Sequence, residues 1–259
     1  MTDLILSHLE RGVMTITLNR PEVFNSFNQH MGRAFQQALN DAAQNDSVRC
    51  VVITGSGRAF CAGQDLKEVT SDTSPGFKVI VEETYNRSIR LICNMEKPVI
   101  AAVNGVAAGA GANIALACDF VVAKHSAKFI QAFAKIGLVP DSGGTFWLPR
   151  LVGMARAKAL TMLGAPLSSA EAESMGLIHL ASREDEFDND VNRLSQTLAN
   201  MPTKGLGMTK KALHAGLTNS LEEQLSLELD LQFQAAETSD YAEGVAAFLE
   251  KRAPKFKGQ

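Results

Sequence analysis

Two short runs constrain this chain more than any other feature: Cys50-Val-Val-Ile-Thr54, ending at Gly55, and Val99-Ile-Ala-Ala-Val103, ending at Asn104-Gly105. A strand covered on both faces reads as a continuous apolar run, because neither set of alternating side chains meets water. Segments of helical spacing lie around them: Asn28 to Asn45, with Met31, Phe35, Leu39 and Ala42/Ala43 on one face, then Gly76 to Met95 and Gly109 to Cys118. Buried strands alternating with helices predict a mainly parallel, layered α/β core. Phe120 to Ala123 and Lys128 to Gln131 continue the strand pattern, and Leu4 to His8 with Val13 to Leu18 alternate about a Glu10-Arg11-Gly12 turn as a half-buried hairpin. From Gly143 onward the strand signal disappears. Helices are predicted at Ser168–Met175, Glu186–Asn200, Gly205–Ala215, Leu221–Ala236 and Tyr241–Lys251, with Ser168 as an N-cap answered by Glu171 three residues on. The expected division is a core over residues 1–200 and a C-terminal helical region over 201–259, with Ser71 to Gly76 as a mobile loop.

The 259 residues, 46% of them hydrophobic, are enough to bury a sizeable core. A net charge of -3 gives no general attraction to nucleic acid or anionic lipid, so neither is expected as a partner. Cys50, Cys61, Cys93 and Cys118 lack C-x-x-C spacing, and the N-terminal stretch has neither a basic n-region nor a long apolar run; free thiols and a cytoplasmic location are expected. The longest apolar region, Val99 to Cys118, is interrupted by Asn104 and Asn113, which argues against a membrane span. The five histidines show no ligand spacing, and no phosphate-binding or dinucleotide glycine motif occurs, so neither a metal nor a nucleotide site is expected.

Two segments of small residues follow the apolar runs, Phe60-Cys-Ala-Gly-Gln-Asp-Leu66 and Asn104-Gly-Val-Ala-Ala-Gly-Ala-Gly-Ala-Asn113. The second opens a helix, whose first N–H groups have no intrahelical partner and favour negative charge. Two such N–H groups converging on one carbonyl oxygen would form an oxyanion hole. Tight helix–sheet packing accounts for the same glycines and alanines, and both readings stand at this point. Asp141, in Ile136-Gly-Leu-Val-Pro-Asp-Ser-Gly-Gly-Thr145, is likewise open to two: a carboxylate enclosed by apolar residues, its pKa raised for proton transfer, or an N-cap for the helix that starts near Thr145. The Asp-Ser-Gly-Gly string imitates a serine-protease loop, but no His–Asp pairing can be built from His8, His30 or His125.

These features occur together in one pattern. Asn19-Arg-Pro-Glu-Val-Phe-Asn-Ser26, Gly57-Arg-Ala-Phe-Cys-Ala-Gly-Gln-Asp-Leu66, Lys97-Pro-Val-Ile-Ala-Ala-Val-Asn-Gly105, Ala107-Ala-Gly-Ala-Gly111, Cys118-Asp119 and Gly143-Gly-Thr145 resemble, in order and spacing, the crotonase (enoyl-CoA hydratase/isomerase) superfamily. The resemblance implies an α/β fold, a spiral of ββα units with a C-terminal helical region that mediates trimerisation, giving a homotrimer or a dimer of trimers. It places oxyanion donors on the backbone N–H of Gln64 and of Ala110, after Gly109, and acyl-CoA contacts on Val23, Phe24, Ala62, Asp65 and Leu66. The resemblance makes Lys251 and Phe256 weaker candidates for the coenzyme's phosphate and adenine end, and the residues alone favour reading Lys251 as part of an exposed tail. Coenzyme A is then part of the substrate, and no metal or redox cofactor is implied. The two glutamates that hydratases of this superfamily use fall on Asn113 and Phe133, which excludes simple hydration. Asn113 can orient substrate or water, or serve as a structural amide. Asp141 lies where the superfamily's isomerases carry an aspartate. The likeness therefore implies an acyl-CoA isomerase with an Asp general acid/base, acting on a ring 1,2-epoxyphenylacetyl thioester to give an oxepin, on a β,γ-enoyl thioester to bring the double bond into conjugation, or on both. The alternatives are a nucleophilic aspartate of the aryl-CoA dehalogenase type and a non-catalytic scaffold.

Overall fold

The two apolar runs lie side by side at the centre of a sheet in a computed structural model that describes residues 3–72 and 74–259. In chain order the strands are β1 (Ile5–Glu10), β2 (Val13–Leu18), β3 (Cys50–Gly55), β4 (Ala59–Cys61), β5 (Val99–Val103), β6 (Val106–Ala108), β7 (Phe120–Lys124), β8 (Lys128–Ile130), β9 (Leu167–Ser168) and β10 (Leu180–Ser182). The helices are α1 (Gln29–Gln44), α2 (Leu66–Val69), α3 (Phe77–Val79), α4 (Arg87–Asn94), α5 (Ala110–Leu116), α6 (Gly144–Leu163), α7 (Ser169–Ser174), α8 (Phe187–Ala199), α9 (Thr203–Ala215), α10 (Leu221–Ala236) and α11 (Ser239–Glu250). A π-helical segment, Ile80–Asn86, joins α3 to α4, so the helix expected over Gly76 to Met95 is present with a widened centre.

Among the described residues the larger sheet has the order β1-β2-β3-β5-β7-β10, with only the β1–β2 hairpin antiparallel. Its central strands alternate between two apolar layers. Val51, Ile53, Val99, Ala101 and Val103 face the cluster that contains Phe35 and Leu39 of α1 and Ile114 of α5. Cys50, Val52, Ile100 and Ala102 face Phe187, Leu198 and Ala199 of α8. Each fully buried Val or Ile contributes roughly 1.5–3 kcal/mol, so a strand in this position gains from being apolar on both faces.

The chain then repeats one move. β3 runs on into β4, β5 into β6 and β7 into β8, the first strand of each pair joining the larger sheet and the second a smaller one of order β4-β6-β8-β9. A helical segment follows each pair, so successive ββα units advance one place in both sheets. The corners need glycine: a Cβ on Gly55 would lie 2.3 Å from the Ala59 carbonyl oxygen, and one on Gly105 2.2 Å from that of Arg58.

Two expectations fail here. Strands do occur beyond Gly143, because β9 and β10, of two and three residues, are too short to show a period of two. β4 overlaps and β6 lies inside the segments read as small-residue turns; at three residues each, Ala-Phe-Cys and Val-Ala-Ala, they are too short to show a period of two, and their small side chains allow close pairing. The expected cap at Ser168 is present as a capping box with Glu171. Of the loop expected to be mobile, Thr73 lies outside the described residues. Among the described residues no helix is long and apolar enough to cross a membrane.

Candidate functional site

Because β4, β6 and β8 are adjacent and parallel, the segments that leave their C-terminal ends lie side by side. Those segments carry Gln64, Gly109 with Ala110, and Gln131 with Phe133. Open parallel sheets bind ligands at this edge.

Gln64 forms a parallel bridge with Phe27 through its neighbours: Phe27 N–H donates to the Gly63 carbonyl (2.7 Å) and Asp65 N–H to the Phe27 carbonyl (2.8 Å). In such a bridge the central residue turns its own N–H away from the partner strand. The turn between β6 and α5 is close, since a Cβ on Gly63 would be 3.4 Å from the Ala110 nitrogen and 2.9 Å from the Ala108 carbonyl oxygen. Ala110 is the first residue of α5, where no intrahelical acceptor exists. Neither N–H donates to a group among the described residues. Two unclaimed N–H groups on neighbouring strand ends can donate to one oxygen between them.

The Gln64 side chain is clamped. Tyr85, in the π-helical segment and 1% exposed, donates from its hydroxyl to Gln64 Oε1 (2.8 Å), and Gln64 Nε2 donates to Glu68 Oε2 (3.0 Å). Burial, then the nearby acidic groups Cys61, Asp141, Glu68 and Asp65, raises the Tyr85 pKa and keeps the hydroxyl a neutral donor. Glu68 Oε1 also accepts from Gln29 N–H (2.9 Å). Asp65 caps α2 by accepting from Lys67 N–H (3.1 Å) and pairs with Arg20 at 2.9 Å. Both carboxylates are thus spent on structure.

Asp141 is not. It does not cap α6, whose N-cap is Gly143 and has no side-chain bond, so the capping reading of this residue fails. Its Oδ1 accepts from the Ser142 hydroxyl at 2.8 Å. Burial pushes the carboxyl above the usual carboxylate range, an effect opposed by the Ser142 hydroxyl and by its own backbone N–H. The turn behind it is unusual: Ser142 (φ 51°) and Gly143 (φ 76°) are both left-handed, and Gly144 N–H closes the turn on the Asp141 carbonyl at 2.9 Å. Positive φ at both central positions marks a mirror-image type I′ turn, and a non-glycine residue there costs about 1 kcal/mol or more.

Asn113, fully buried on α5, donates to that same carbonyl at 2.8 Å. Phe133 is 6% exposed, and its ring lies 3.8 Å from where a Gly109 Cβ would stand. The lip is formed by Val23, Phe24, Ala62 and Leu66: Ala62 N–H donates to the Phe24 carbonyl (3.0 Å), Arg58 stacks over the Phe24 ring at 4.6 Å, and Leu66 is 58% exposed. Lys251 and Phe256 are not brought to this place. Lys251 ends α11, and Phe256 packs on Gly244 and accepts from Arg49 Nη1, just before the start of β3. Tyr85, Glu68, Ser142 and Gln131 were not singled out in the sequence. Tyr85 carries a signal in retrospect, as one of two tyrosines and inside an apolar helix pattern where its hydroxyl must find a partner.

The sequence matches the family Enoyl-CoA hydratase/isomerase over residues 8–259. It is 48% identical to the 1,2-epoxyphenylacetyl-CoA isomerase of Escherichia coli (strain K12), over 100% of both chains. It is 36% identical to the trans-2-decenoyl-[acyl-carrier-protein] isomerase of Streptococcus mutans serotype c (strain ATCC 700610 / UA159), over 98% of each. The structure is similar to that of an enoyl-CoA hydratase from Polaromonas sp. JS666, with a TM-score of 0.91, 35% identity and coverage of 97% of this chain and 99% of that one.

Proposed function

Because the chain belongs to the enoyl-CoA hydratase/isomerase family, we propose that it isomerises acyl-CoA thioesters with Asp141 as the sole proton carrier. The observation that carries this reading is the difference between the carboxylates near Tyr85. Asp65 and Glu68 are consumed by a cap, an ion pair and the clamp on Gln64, whereas Asp141 is half-buried, raised in pKa and held, among the described residues, only by its own N–H and by Ser142. A base whose pKa is raised towards the working pH both takes and returns a proton efficiently.

In the β,γ-to-α,β shift, Asp141 removes the proton on the carbon between the thioester and the double bond. The C–H electron pair moves into the thioester, and the Gln64 and Ala110 N–H groups stabilise the enolate oxygen. The pair then moves back through the former double bond, and the carboxyl returns the proton to the γ-carbon. The ring 1,2-epoxyphenylacetyl thioester fits the same apparatus: the ring C–C bond under the epoxide opens to an oxepin, and a proton taken from the side-chain α-carbon is returned to the ring. No cofactor beyond the substrate's own coenzyme A enters either step. The isomerase from Escherichia coli, at 48% identity, supports the ring epoxide as first substrate. Asn113 and Phe133, in place of two acids, support isomerisation over hydration. Exposed Leu229, Phe233 and Phe248 on α10 and α11 support assembly as a trimer or dimer of trimers.

Asp141→Asn is the test. Turnover of 3-hexenoyl-CoA and of the ring epoxide should be lost while acyl-CoA binding is kept; full turnover in this variant would remove the mechanism.

A further inference from the structure

One buried polar atom at this site lacks an explanation in the mechanism. Gln131, directly after β8, is 5% exposed, and its Oε1 has no hydrogen-bond partner among the described residues. Its Nε2 donates to Asn113 Oδ1 at 2.8 Å. Asn113 Nδ2 in turn donates to the Asp141 carbonyl oxygen at 2.8 Å. The direction of this chain is fixed from its far end, because a backbone carbonyl can only accept. Asn113 must therefore turn its NH2 towards Asp141 and its oxygen towards Gln131. Gln131 must then present its NH2, which leaves its own oxygen facing the interior. A buried carbonyl without a protein partner destabilises a fold, and an apolar side chain of the same length would avoid it. What the amide delivers within the protein is one hydrogen bond, directed at Asn113.

The receiving end needs such support. Asp141 precedes two left-handed residues, one of them the non-glycine Ser142, so its turn is not a conformation the chain would choose unaided. Asn113 reaches the turn because residue 144 is glycine: a Cβ there would lie 2.3 Å from Asn113 Nδ2.

We propose that Gln131 and Asn113 form a one-directional amide relay that positions Asp141 for proton transfer, with both acting as positioning residues rather than touching the reacting atoms. The proposal rests on the reading of Asp141 as the base. An amide at 113 then serves to hold the carboxylate at 141, and Gln131 sets which way that amide points.

The test uses the full-length chain with Gln131→Met, which removes both the donor and the unpartnered oxygen at nearly constant volume. Melting temperature, kcat and KM for 3-hexenoyl-CoA, and the pH profile of kcat are measured. The expected result is a melting temperature equal to or above that of the parent, KM within twofold, kcat reduced at least tenfold, and an acid limb moved to lower pH as Asp141 loosens into water. Asn113→Asp accepts from Gln131 but cannot donate to the Asp141 carbonyl. It should also lower kcat, with the acid limb moved to higher pH by the added negative charge. If that buried carboxylate prevents folding, Gln131→Met still decides. Parent-like kcat and pH profile in Gln131→Met would overturn the proposal, as would a fall in melting temperature with kcat per folded molecule unchanged. Asp141→Asn, run alongside, separates the two claims: an inactive Asp141→Asn with a fully active Gln131→Met sinks the relay alone, while an active Asp141→Asn sinks the reading beneath it.

Discussion

Backbone donors cannot be removed by trimming a side chain, but the position of Ala110 offers a way. It is the first residue of α5, where proline is tolerated because the N–H has no intrahelical acceptor and the helical φ suits the ring. A proline in a helix interior costs about 3 kcal/mol or more; here that hydrogen-bond loss does not arise. Gly109, at φ 54° and ψ -126°, is outside the right-handed helical region that a following proline disfavours. Ala110→Pro is therefore expected to fold with its melting temperature within a few degrees of the parent. Chemically it deletes one of the two N–H groups and puts a ring carbon where the hydrogen pointed. Loss of one oxyanion donor costs about 3–4 kcal/mol, or roughly a hundredfold to a thousandfold in rate. Butyryl-CoA, which has no double bond to move, isolates the enolisation step: its α-hydrogens should exchange with solvent deuterium in the parent, followed by NMR, and at least a hundredfold more slowly in Ala110→Pro. Exchange within threefold of the parent, in a variant shown to be folded, would refute the assignment of this N–H to the oxyanion hole.

Asp141→Asn also has a signature in stability. The folded pKa of Asp141 lies above its ordinary value of 3.8, so stability is lost as pH rises through the folded pKa, while below 3.8 the carboxyl is neutral in both states and costs nothing. The variant should therefore melt higher than the parent at neutral pH, with the gap closing on acidification; an equal or lower melting temperature at neutral pH would contradict the burial argument. Tyr85→Phe deletes the 2.8 Å bond that holds Gln64 Oε1, and should lower kcat roughly fivefold, about 1 kcal/mol, without raising KM. An unchanged kcat would show that the clamp does not matter. Phe248, 83% exposed on α11, should stabilise contacts between copies, so light scattering should give a parent mass that is a multiple of 27.8 kDa and a smaller particle for Phe248→Asp. A monomeric parent would end the assembly proposal.

The larger sheet was legible because its central strands bury both faces, and Cys50 to Gly55 and Val99 to Val103 advertise that by having almost nothing polar in them. The smaller sheet was legible only at β8, inside the strand expected over Lys128 to Gln131. β4 and β6 have three residues each, Ala-Phe-Cys and Val-Ala-Ala, too few for a single Phe or Val to show a period, and their small residues let backbones approach. Its existence follows only from the coil of ββα units, a tertiary fact. The site divides along the same line. The family resemblance picks out Gln64 and Ala110, and Asp141 is open between a base and a helix cap until that resemblance is drawn. Their supports, Tyr85 and Gln131, sit inside a helix pattern and at a strand end, where periodicity describes the backbone and says nothing about where a hydroxyl or an amide is aimed.

That division bears on what Asn113 is. From the sequence it was an amide in an acid's place, with orienting substrate, holding water and plain structure all open. The structure supplies a different partner: the carbonyl of Asp141, approached through the gap that Gly144 leaves. A two-acid site adds water by giving one carboxylate to the nucleophile and another to the proton. In the mechanism proposed above, the amide at 113 braces the loop carrying the single acid, and Phe133, with its ring against Gly109, lines the site with an apolar wall. A carboxylate so braced, in surroundings that raise its pKa, suits a reaction in which the same proton leaves one carbon and arrives at another. The requirement is then placement rather than a second charge: the carboxyl must reach both carbons while the oxygen between Gln64 and Ala110 stays fixed.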